Sequence, residues 1–454
     1  MKMTAQQRSD MMLHAPVQKI IPRLAVPTIC SMLITSIYNM ADTFFVSQLS
    51  TAASGAVGVT FSAMAMIQAI AFTFAQGSGA NISRALGAGN QKEAKQYSAV
   101  GFFCALFVGL VITVLGNLFI DPLVMFLGAT ETIAPYARDY ASYIFFAAPF
   151  MMGSFVLNNQ LRFQGLATYG MLGITAGGVL NIILDPILIF GCGMETAGAA
   201  LATAISQVVS FTILLLQCNF RKDTITVSLR NFRPTRRVVG RILYTGMPSL
   251  GRQGIASVST VLLNTAAGLH GGDAAIAAMS IVSRFVMFIN STVIGFGQGF
   301  QPVCGFNYGA KQVDRVREAF WYCVKVSTVI LLVLGGVAFL LAEPIVTLFR
   351  REDADVIRIG SVALQMHLCT LPTWGFIVMS NMLSQSIGFG FRATILSIAR
   401  QGLFLIPALL IMPPLMGLTG IQMAQPVADV CALILSILIM RTILRQLHSP
   451  QKAK

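Results

Sequence analysis

Five ionisable side chains stand inside long apolar stretches of this sequence. Moving a charge into an apolar medium costs several kcal/mol, so such residues usually bind an ion, a substrate or one another. Each of the five is therefore a candidate functional residue: Asp42, Asp185, Arg252, Arg284 and Asp429.

Two of the acids have polar neighbours at a spacing that suits an α-helix. Asn181 precedes Asp185 by four residues, which puts both side chains on one helix face. Asp42 lies late in the first apolar stretch, Asp185 late in the fifth, and Thr203 early in the sixth. If successive stretches cross a membrane in alternating directions, these side chains reach a similar depth.

Two carboxylates, an amide and a hydroxyl supply hard oxygen atoms, which can hold a sodium ion or a proton. The alternative is that Asp42 and Asp185 hydrogen-bond to the backbone or to lipid headgroups near the outer interface. The helical spacing and the matched depth favour a cation or proton site.

The three remaining charges, Arg252, Arg284 and Asp429, predict a buried ion pair in which one arginine neutralises Asp429. A second coupling or substrate site is the alternative. His367 also stands in an apolar stretch, and we expect it to be a hydrogen-bonded packing residue and not a proton relay.

The composition identifies the medium in which these residues work. Of the 454 residues, 55% are hydrophobic and 11% charged, whereas a soluble domain carries about 25% charge. The mean hydropathy of +0.74 indicates an integral membrane protein. The eight cysteines are scattered through the chain and are interpreted as small buried side chains, not as disulfides or metal ligands. The sequence lacks the Gly-Lys pair of a nucleotide-binding P-loop, so we expect no cofactor.

Apolar runs of about 20 residues can cross a bilayer as helices. The sequence has twelve such runs, at 20–46, 52–76, 97–119, 133–157, 166–190, 197–217, 242–269, 274–298, 320–342, 357–382, 394–414 and 418–441. We therefore predict an all-α integral membrane protein with twelve transmembrane helices and both termini on one side.

The distribution of positive charge predicts the orientation. With the termini inside, the inner segments carry 25 of the 31 Lys and Arg residues, and the outer loops carry four. Cytoplasmic loops are enriched in these residues, so both termini are predicted to be cytoplasmic. The net charge of +14 is thereby assigned to membrane topology and contact with anionic lipids, and not to nucleic-acid binding.

The second half of the chain repeats features of the first in the same order. Pro27 corresponds to Pro248, and Gly165 to Gly388, with further matches between them. The repeat predicts two pseudo-symmetric six-helix lobes, at 1–220 and 242–454, joined by a cytoplasmic loop at 221–241. Paired lobes around a central cavity are typical of transporters that work by alternating access.

Three short motifs connect the sequence with a known family. They are Ile-Tyr-Asn-Met-Ala-Asp-Thr-Phe-Phe-Val at 37–46, Ala-Ser-Gly-Ala-Val-Gly at 53–58 and Gly-Ala-Gly-Asn at 87–90. With them the sequence resembles the MATE family, the multidrug and toxic compound extrusion transporters, and above all its DinF-like and MepA-like bacterial members. The resemblance covers essentially all twelve spans and implies a V-shaped bundle of two six-helix lobes.

The resemblance also implies roles for individual residues. In the family, a cation or proton site uses an Asp on span one, an Asn and an Asp on span five, a Thr on span six and a backbone carbonyl. These positions correspond to Asp42, Asn181, Asp185, Thr203 and the carbonyl of Ala199. Tyr38 and Asn158 correspond to residues that line the substrate cavity.

The expected function is that of a monomeric multidrug antiporter in a bacterial plasma membrane. It would export organic cations in exchange for inward Na⁺ or H⁺ and would not be an enzyme. One alternative is a flippase for a lipid-linked saccharide, which would use a cationic cavity. The other is a membrane receptor or enzyme, which would require a soluble domain or a metal cluster that the sequence does not indicate.

Overall fold

The computed structural model describes residues 4–221, 223–349 and 353–448, and the regular structure in these ranges is helical. The α-helices, in chain order, are α1 (Ala5–His14), α2 (Val17–Ser47), α3 (Thr51–Gly87), α4 (Gln91–Leu118), α5 (Ile120–Phe126), α6 (Ala134–Phe163), α7 (Ala167–Pro186), α8 (Glu195–Asn219), α9 (Arg236–Gly309), α10 (Val313–Leu340), α11 (Ala342–Phe349), α12 (Ala354–Thr370), α13 (Thr373–Ser386), α14 (Gly390–Ile398), α15 (Ile406–Met416) and α16 (Leu418–His448). Two π-helical segments, Ile187–Gly191 and Ala399–Leu405, continue α7 and connect α14 to α15, and a 3₁₀ turn spans Leu229–Asn231.

The predicted all-α membrane architecture is confirmed. Within the described ranges, ten helices are long and apolar enough to cross a membrane. One of them, α9, contains two spans, because Gly272 has a φ of 61° and interrupts the helix. The pair α12 and α13 forms one further span with a bend of 57°. Counted in this way, the helices supply the twelve predicted spans.

The buried apolar side chains form two large clusters. One contains residues between 46 and 242, and the other contains residues between 266 and 443 together with the inner part of α2 and its neighbours. Ile20, Ile21 and Leu24 of α2 thus pack with the second half of the chain. The lobe boundaries at 1–220, 221–241 and 242–454 stay a prediction.

The two halves touch closely at the end of the bundle that carries the Lys- and Arg-rich loops. We name it the inner end, because those loops are predicted to be cytoplasmic. Here Gly87 abuts the carbonyl group of Phe306, and Gly309 abuts the carbonyl group of Arg84, so neither position has room for a Cβ atom. The Thr28 hydroxyl also donates to the carbonyl of Gly295 across the same seam, at 2.7 Å. The seam between the halves is closed at this end.

The loop that joins the halves is partly packed and not simply solvated. Ile225 and Val227 are buried in it, and the Ile225 amide donates to the Gln164 side chain at 2.8 Å. Arg221 stacks on an aromatic ring and donates twice to Asp223, at 3.0 Å each. Although partial burial opposes it, hydrogen bonding to Arg221 holds the pKa of the Asp223 carboxyl below its usual value.

A glycine at the end of α13 provides a test of the inner seam. Gly388 has a φ of 92°, and the Arg84 guanidinium of α3 fills the space that a Cβ atom would need. We expect Gly388→Ala to lower the free energy of unfolding by about 1 to 3 kcal/mol, because a left-handed non-glycine residue is strained and Arg84 must move. Chemical denaturation of the purified protein measures this loss.

Gly336→Ala is the matched control, because Gly336 lies within α10 and has open space where its Cβ would be. It should leave stability unchanged or slightly raised. Equal losses in the two variants would contradict the close fit of Arg84 against Gly388.

Candidate cation-binding site

Three helices bring together the four side chains that the sequence singled out. Asp42 lies on α2, Asn181 and Asp185 lie on α7, and Thr203 lies on α8. All four are buried, and the most exposed of them, Asp42, is 8% exposed. Hydrogen bonds join Asn181, Asp185 and Thr203, and Asp42 is within electrostatic range of Asp185. Their role in ion binding stays a prediction.

The Asn181 amide connects the two other members of the set on α7 and α8. Its Nδ2 atom donates to Asp185 Oδ1 at 3.3 Å and to Thr203 Oγ1 at 3.3 Å. These bonds leave Asn181 Oδ1 and Asp185 Oδ2 without a hydrogen-bond partner among the described residues. Both atoms are acceptors.

The helix changes type directly after Asp185. Pro186 follows it directly and has no N–H to donate, so the regular α-helical hydrogen bonding cannot continue. The chain proceeds as the π-helical segment Ile187–Gly191, a wider turn that often occurs at functional sites. Asp185 therefore stands at the last α-helical turn before a change in helix type.

Asp42 has a hydrogen-bond donor that the sequence did not reveal. The Tyr140 hydroxyl of α6 donates to Asp42 Oδ2 at 3.1 Å, while Asp42 Oδ1 has no partner in the described part of the chain. Asp42 and Asp185 are near enough to interact electrostatically. Tyrosine is common in membrane helices as an interfacial anchor, so residue type alone could not have singled out Tyr140.

Tyr140→Phe should destabilise the protein, because it removes the hydrogen bond to a buried carboxylate. A hydrogen bond to a charged group contributes about 1.5 to 3 kcal/mol, and we expect a loss in that range on chemical denaturation. Tyr143→Phe on the same helix is the control, since the Tyr143 hydroxyl has no such carboxylate contact in the described structure. A loss as large for Tyr143→Phe would show that the Asp42 bond is not the cause.

The arrangement defines what the site can bind. Three buried oxygen acceptors, on Asp42, Asn181 and Asp185, have no donor in the described chain. Buried acceptors are normally satisfied, so a cation or a proton would be favoured there. The described residues include no group of three or more His, Cys, Asp or Glu side chains that could hold a metal ion. The donor set suits a proton or a monovalent hard cation better than a transition metal.

The remaining predicted ligand is a backbone carbonyl. Ala199 is fully buried on α8, one helical turn before Thr203. Its position next to the site agrees with the sequence analysis, and its use as a carbonyl ligand stays a prediction.

Both predicted cavity residues line a space beside this site. Tyr38 and Asn158 share its wall with Asn181 and Thr203. The cavity has a volume of about 40 Å³, enough for two or three water molecules but not for an organic drug. An organic drug could enter only if the helices moved apart and enlarged the cavity.

The predicted neutralisation of Asp429 by Arg252 or Arg284 is wrong. Asp429 Oδ1 pairs with Arg400 Nε at 2.7 Å. Arg400 lies in the π-helical segment Ala399–Leu405, which places its long side chain against α16. Arg400 lies near the inner end of the apolar run at 394–414, so its place in the sequence does not by itself predict a buried ion pair. Arg284 is exposed, and Arg252 has no acidic partner among the described residues.

Three further donors complete the environment of Asp429. The Thr370 hydroxyl, the Trp374 indole N–H and the Gln425 amide each donate to its carboxylate at 2.9 Å. The Arg400 guanidinium also stacks on Trp374, with its Cζ 3.5 Å from the ring centroid. The ring of His367 packs against the edge of Trp374, with centroids 5.6 Å apart, as its predicted packing role requires. The predicted hydrogen bond is not seen at its Nε2 atom, which has no partner among the described residues.

Comparison with known proteins decides the family. A sequence model of the MatE family matches residues 27–187 and, a second time, residues 248–411. The chain belongs to the MatE family. The resemblance stated from the motifs is thereby confirmed, and the repeated match shows that the two halves of this MatE protein are related to each other.

Relatives and solved structures agree with this assignment. Multidrug export protein MepA of Staphylococcus aureus (strain NCTC 8325 / PS 47) is 28% identical over 421 residues, 92% of each chain. The Staphylococcus saprophyticus protein of the same name is 29% identical over 411 residues, 90% of each chain. The structure of MATE in complex with MaL6 superposes with a TM-score of 0.93 at 28% identity, covering 97% of this chain and 99% of that one. An outward-facing multidrug resistance MATE family transporter of the MOP superfamily gives 0.91 at 28% identity, with 97% and 98% covered.

These similarities extend over nearly the whole molecule. Because the matched proteins are membrane transporters, this MatE protein is classed as a multi-pass membrane transporter and not as an enzyme.

Proposed function

We propose that this MatE protein is a multidrug antiporter, which exports organic cations in exchange for Na⁺ or H⁺ entering at Asp42 and Asp185. The observation that carries the proposal is the buried set of three acceptor oxygens without a donor in the described chain. The printed name of the relatives, multidrug export protein MepA, supports the choice of cargo. We further propose a monomer in a bacterial plasma membrane, with both termini cytoplasmic.

Charge gives the physical reason for exchange. A cation or proton bound at Asp42 and Asp185 cancels negative charge that would otherwise attract an organic cation. Binding of one ligand therefore weakens binding of the other, and the effect is reciprocal by thermodynamic linkage. An inward ion gradient can then drive cargo outward.

Helix α2 connects the ion site to the seam between the halves. It carries Asp42 near one end and Thr28, which hydrogen-bonds to the carbonyl of Gly295, nearer the other. Pro27, directly before Thr28, lacks the N–H of a regular helical hydrogen bond, so α2 is weakened next to the seam contact. A change of charge at Asp42 can therefore alter the packing of α2 against both halves.

The lining of the cavity beside the site argues for cationic cargo. The described residues that line it include no lysine or arginine, and they present Tyr38, Phe72 and Phe155. Aromatic faces attract organic cations. A flippase for a lipid-linked saccharide would need positive charge at this place.

Efflux from proteoliposomes tests the proposal. The purified protein is reconstituted with a fluorescent organic cation, and a Na⁺ gradient and a pH gradient are imposed separately. At least one gradient should drive efflux above that of protein-free liposomes, and collapsing it with an ionophore should stop the efflux. Efflux at a rate that does not depend on either gradient would contradict ion-coupled exchange.

A further inference from the structure

A buried arginine near the inner end of α6 lacks the partners that a guanidinium normally has. Arg162 is 1% exposed, and its Nη2 atom donates to Asn159 Oδ1. Its Cζ also lies 4.9 Å from the centroid of the Phe163 ring. Its Nε and Nη1 atoms, however, have no hydrogen-bond partner among the described residues. Leaving charged donors unsatisfied in a buried place costs several kcal/mol.

A second arginine, Arg252 of α9 from the other half of the chain, lies within electrostatic range of Arg162. No acid in the described residues pairs with either arginine. Two like charges in a place with little water repel each other, and an anion between them would remove the repulsion.

The position of this pair relates it to the cavity beside the cation site. Asn158, which lines that cavity, precedes Arg162 by one helical turn on the same face of α6. Arg162 thus lies one turn further toward the inner end. A ligand could place a positive group in the cavity and a negative group at the arginines.

We propose that Arg162 and Arg252 form an oxyanion-recognition site for a carboxylate or phosphate group of an amphiphilic ligand. The guanidinium group suits both anions, because its planar donors match their oxygen atoms. The proposal rests on the proposed export of organic cations and adds that zwitterionic cargo is preferred. The oxyanion can belong to the cargo or to a lipid headgroup, and the experiment separates these sources.

Binding of two matched dyes to the full-length protein in detergent is the direct test. One is a rhodamine with a free carboxylate, and the other is its methyl ester, so they differ only in the negative group. By fluorescence anisotropy, the wild-type protein should bind the acid about tenfold more tightly than the ester, as expected of a hydrogen bond to a charged group. Arg162→Gln and Arg252→Gln should each lose this preference and still bind the ester.

Arg284→Gln is the control variant, because Arg284 is another α9 arginine but is exposed. It should keep the preference for the acid. Arg162→Lys retains the charge and should keep part of the preference, which separates anion binding from a purely structural effect. If Arg162→Gln fails to fold, Arg252→Gln decides alone, since its side chain is only partly buried.

Phosphatidylglycerol distinguishes the two sources of the oxyanion. If a lipid phosphate occupies the site, adding this lipid should displace the acid but not the ester, and phosphatidylcholine should have less effect. Benzoate should also raise the melting temperature of the wild type and of Arg284→Gln, but not of Arg252→Gln.

Two results would overturn the proposal. One is equal binding of acid and ester by the wild type, and the other is an unchanged preference in both glutamine variants. If neither dye binds, the proposed export of organic cations fails, and the benzoate melting temperatures alone decide whether the arginines bind an oxyanion.

Discussion

Asp42→Asn is expected to abolish gradient-driven efflux while the protein remains folded and inserted. The substitution keeps the shape of the side chain but removes the charge that a cation or proton would neutralise. The asparagine can still accept the hydrogen bond from Tyr140, which donates to Asp42 at 3.1 Å. Folding should therefore suffer little, while the proposed ion site loses one of its two carboxylates.

Asp185→Asn should have nearly the same effect, and the double variant should be little worse than either single one. Non-additivity of this kind is expected of groups that interact directly and act as a unit. Efflux of a fluorescent cation from proteoliposomes measures the transport, and melting temperature measures the folding. Asp139→Asn is the control, because Asp139 is an exposed acid adjacent to Tyr140 on α6.

Full ion-driven efflux by Asp42→Asn would show that Asp42 is not needed for ion coupling. Normal efflux by Asp42→Asn together with its loss in Asp139→Asn would show that an exposed acid, and not the buried site, is needed for efflux. Loss of efflux in all three variants would show that the assay reports general sensitivity of the protein to lost charge.

The second large effect concerns the ion pair between Arg400 and Asp429. Removing one partner leaves the other charge buried, and this costs about 3 to 5 kcal/mol in measured cases. We expect Arg400→Gln to be strongly destabilising, because Asp429 is fully buried and would keep only neutral donors. Asp429→Asn should also destabilise the protein, but less, because the stacking of Arg400 on Trp374 still stabilises the arginine's charge.

The double variant, Arg400→Gln with Asp429→Asn, should recover part of the lost stability, because no unpaired charge remains. Chemical denaturation of the four proteins gives the coupling free energy. Arg284→Gln again supplies the control, with a change expected within about 0.5 kcal/mol for an exposed residue. Losses that simply add in the double variant would contradict a direct pair.

The sequence predicts correctly those features that depend on the regular spacing of residues along a helix. Apolar runs predicted the spans, and the interval between Asn181 and Asp185 predicted a shared helix face. Depth along alternating spans then placed Asp42 near them. These inferences use only the rise and periodicity of a helix, which the membrane makes nearly obligatory.

The same reasoning failed where long side chains or irregular helices decide the contacts. Arg400 reaches Asp429 from a π-helical segment, and no pattern in the sequence predicts that segment. Arg162 follows the apolar run at 133–157, where the sequence predicts an inner loop charge, but it is buried. Its burial depends on how the halves close, and this is a tertiary property.

The Asp429 environment has a further consequence for the whole molecule. Gln425 and Asp429 repeat the amide-to-carboxylate interval of Asn181 and Asp185, and Thr370 donates a hydroxyl as Thr203 supplies one in the first half. In the second half, however, the positive charge is Arg400, which is covalently part of the chain and cannot leave. The second half thus holds a carboxylate with a tethered counter-ion, whereas the carboxylates of Asp42 and Asp185 in the first half have no basic partner among the described residues. Under the proposed exchange, Asp42 and Asp185, and not Asp429, are therefore the carboxylates expected to bind the coupling ion.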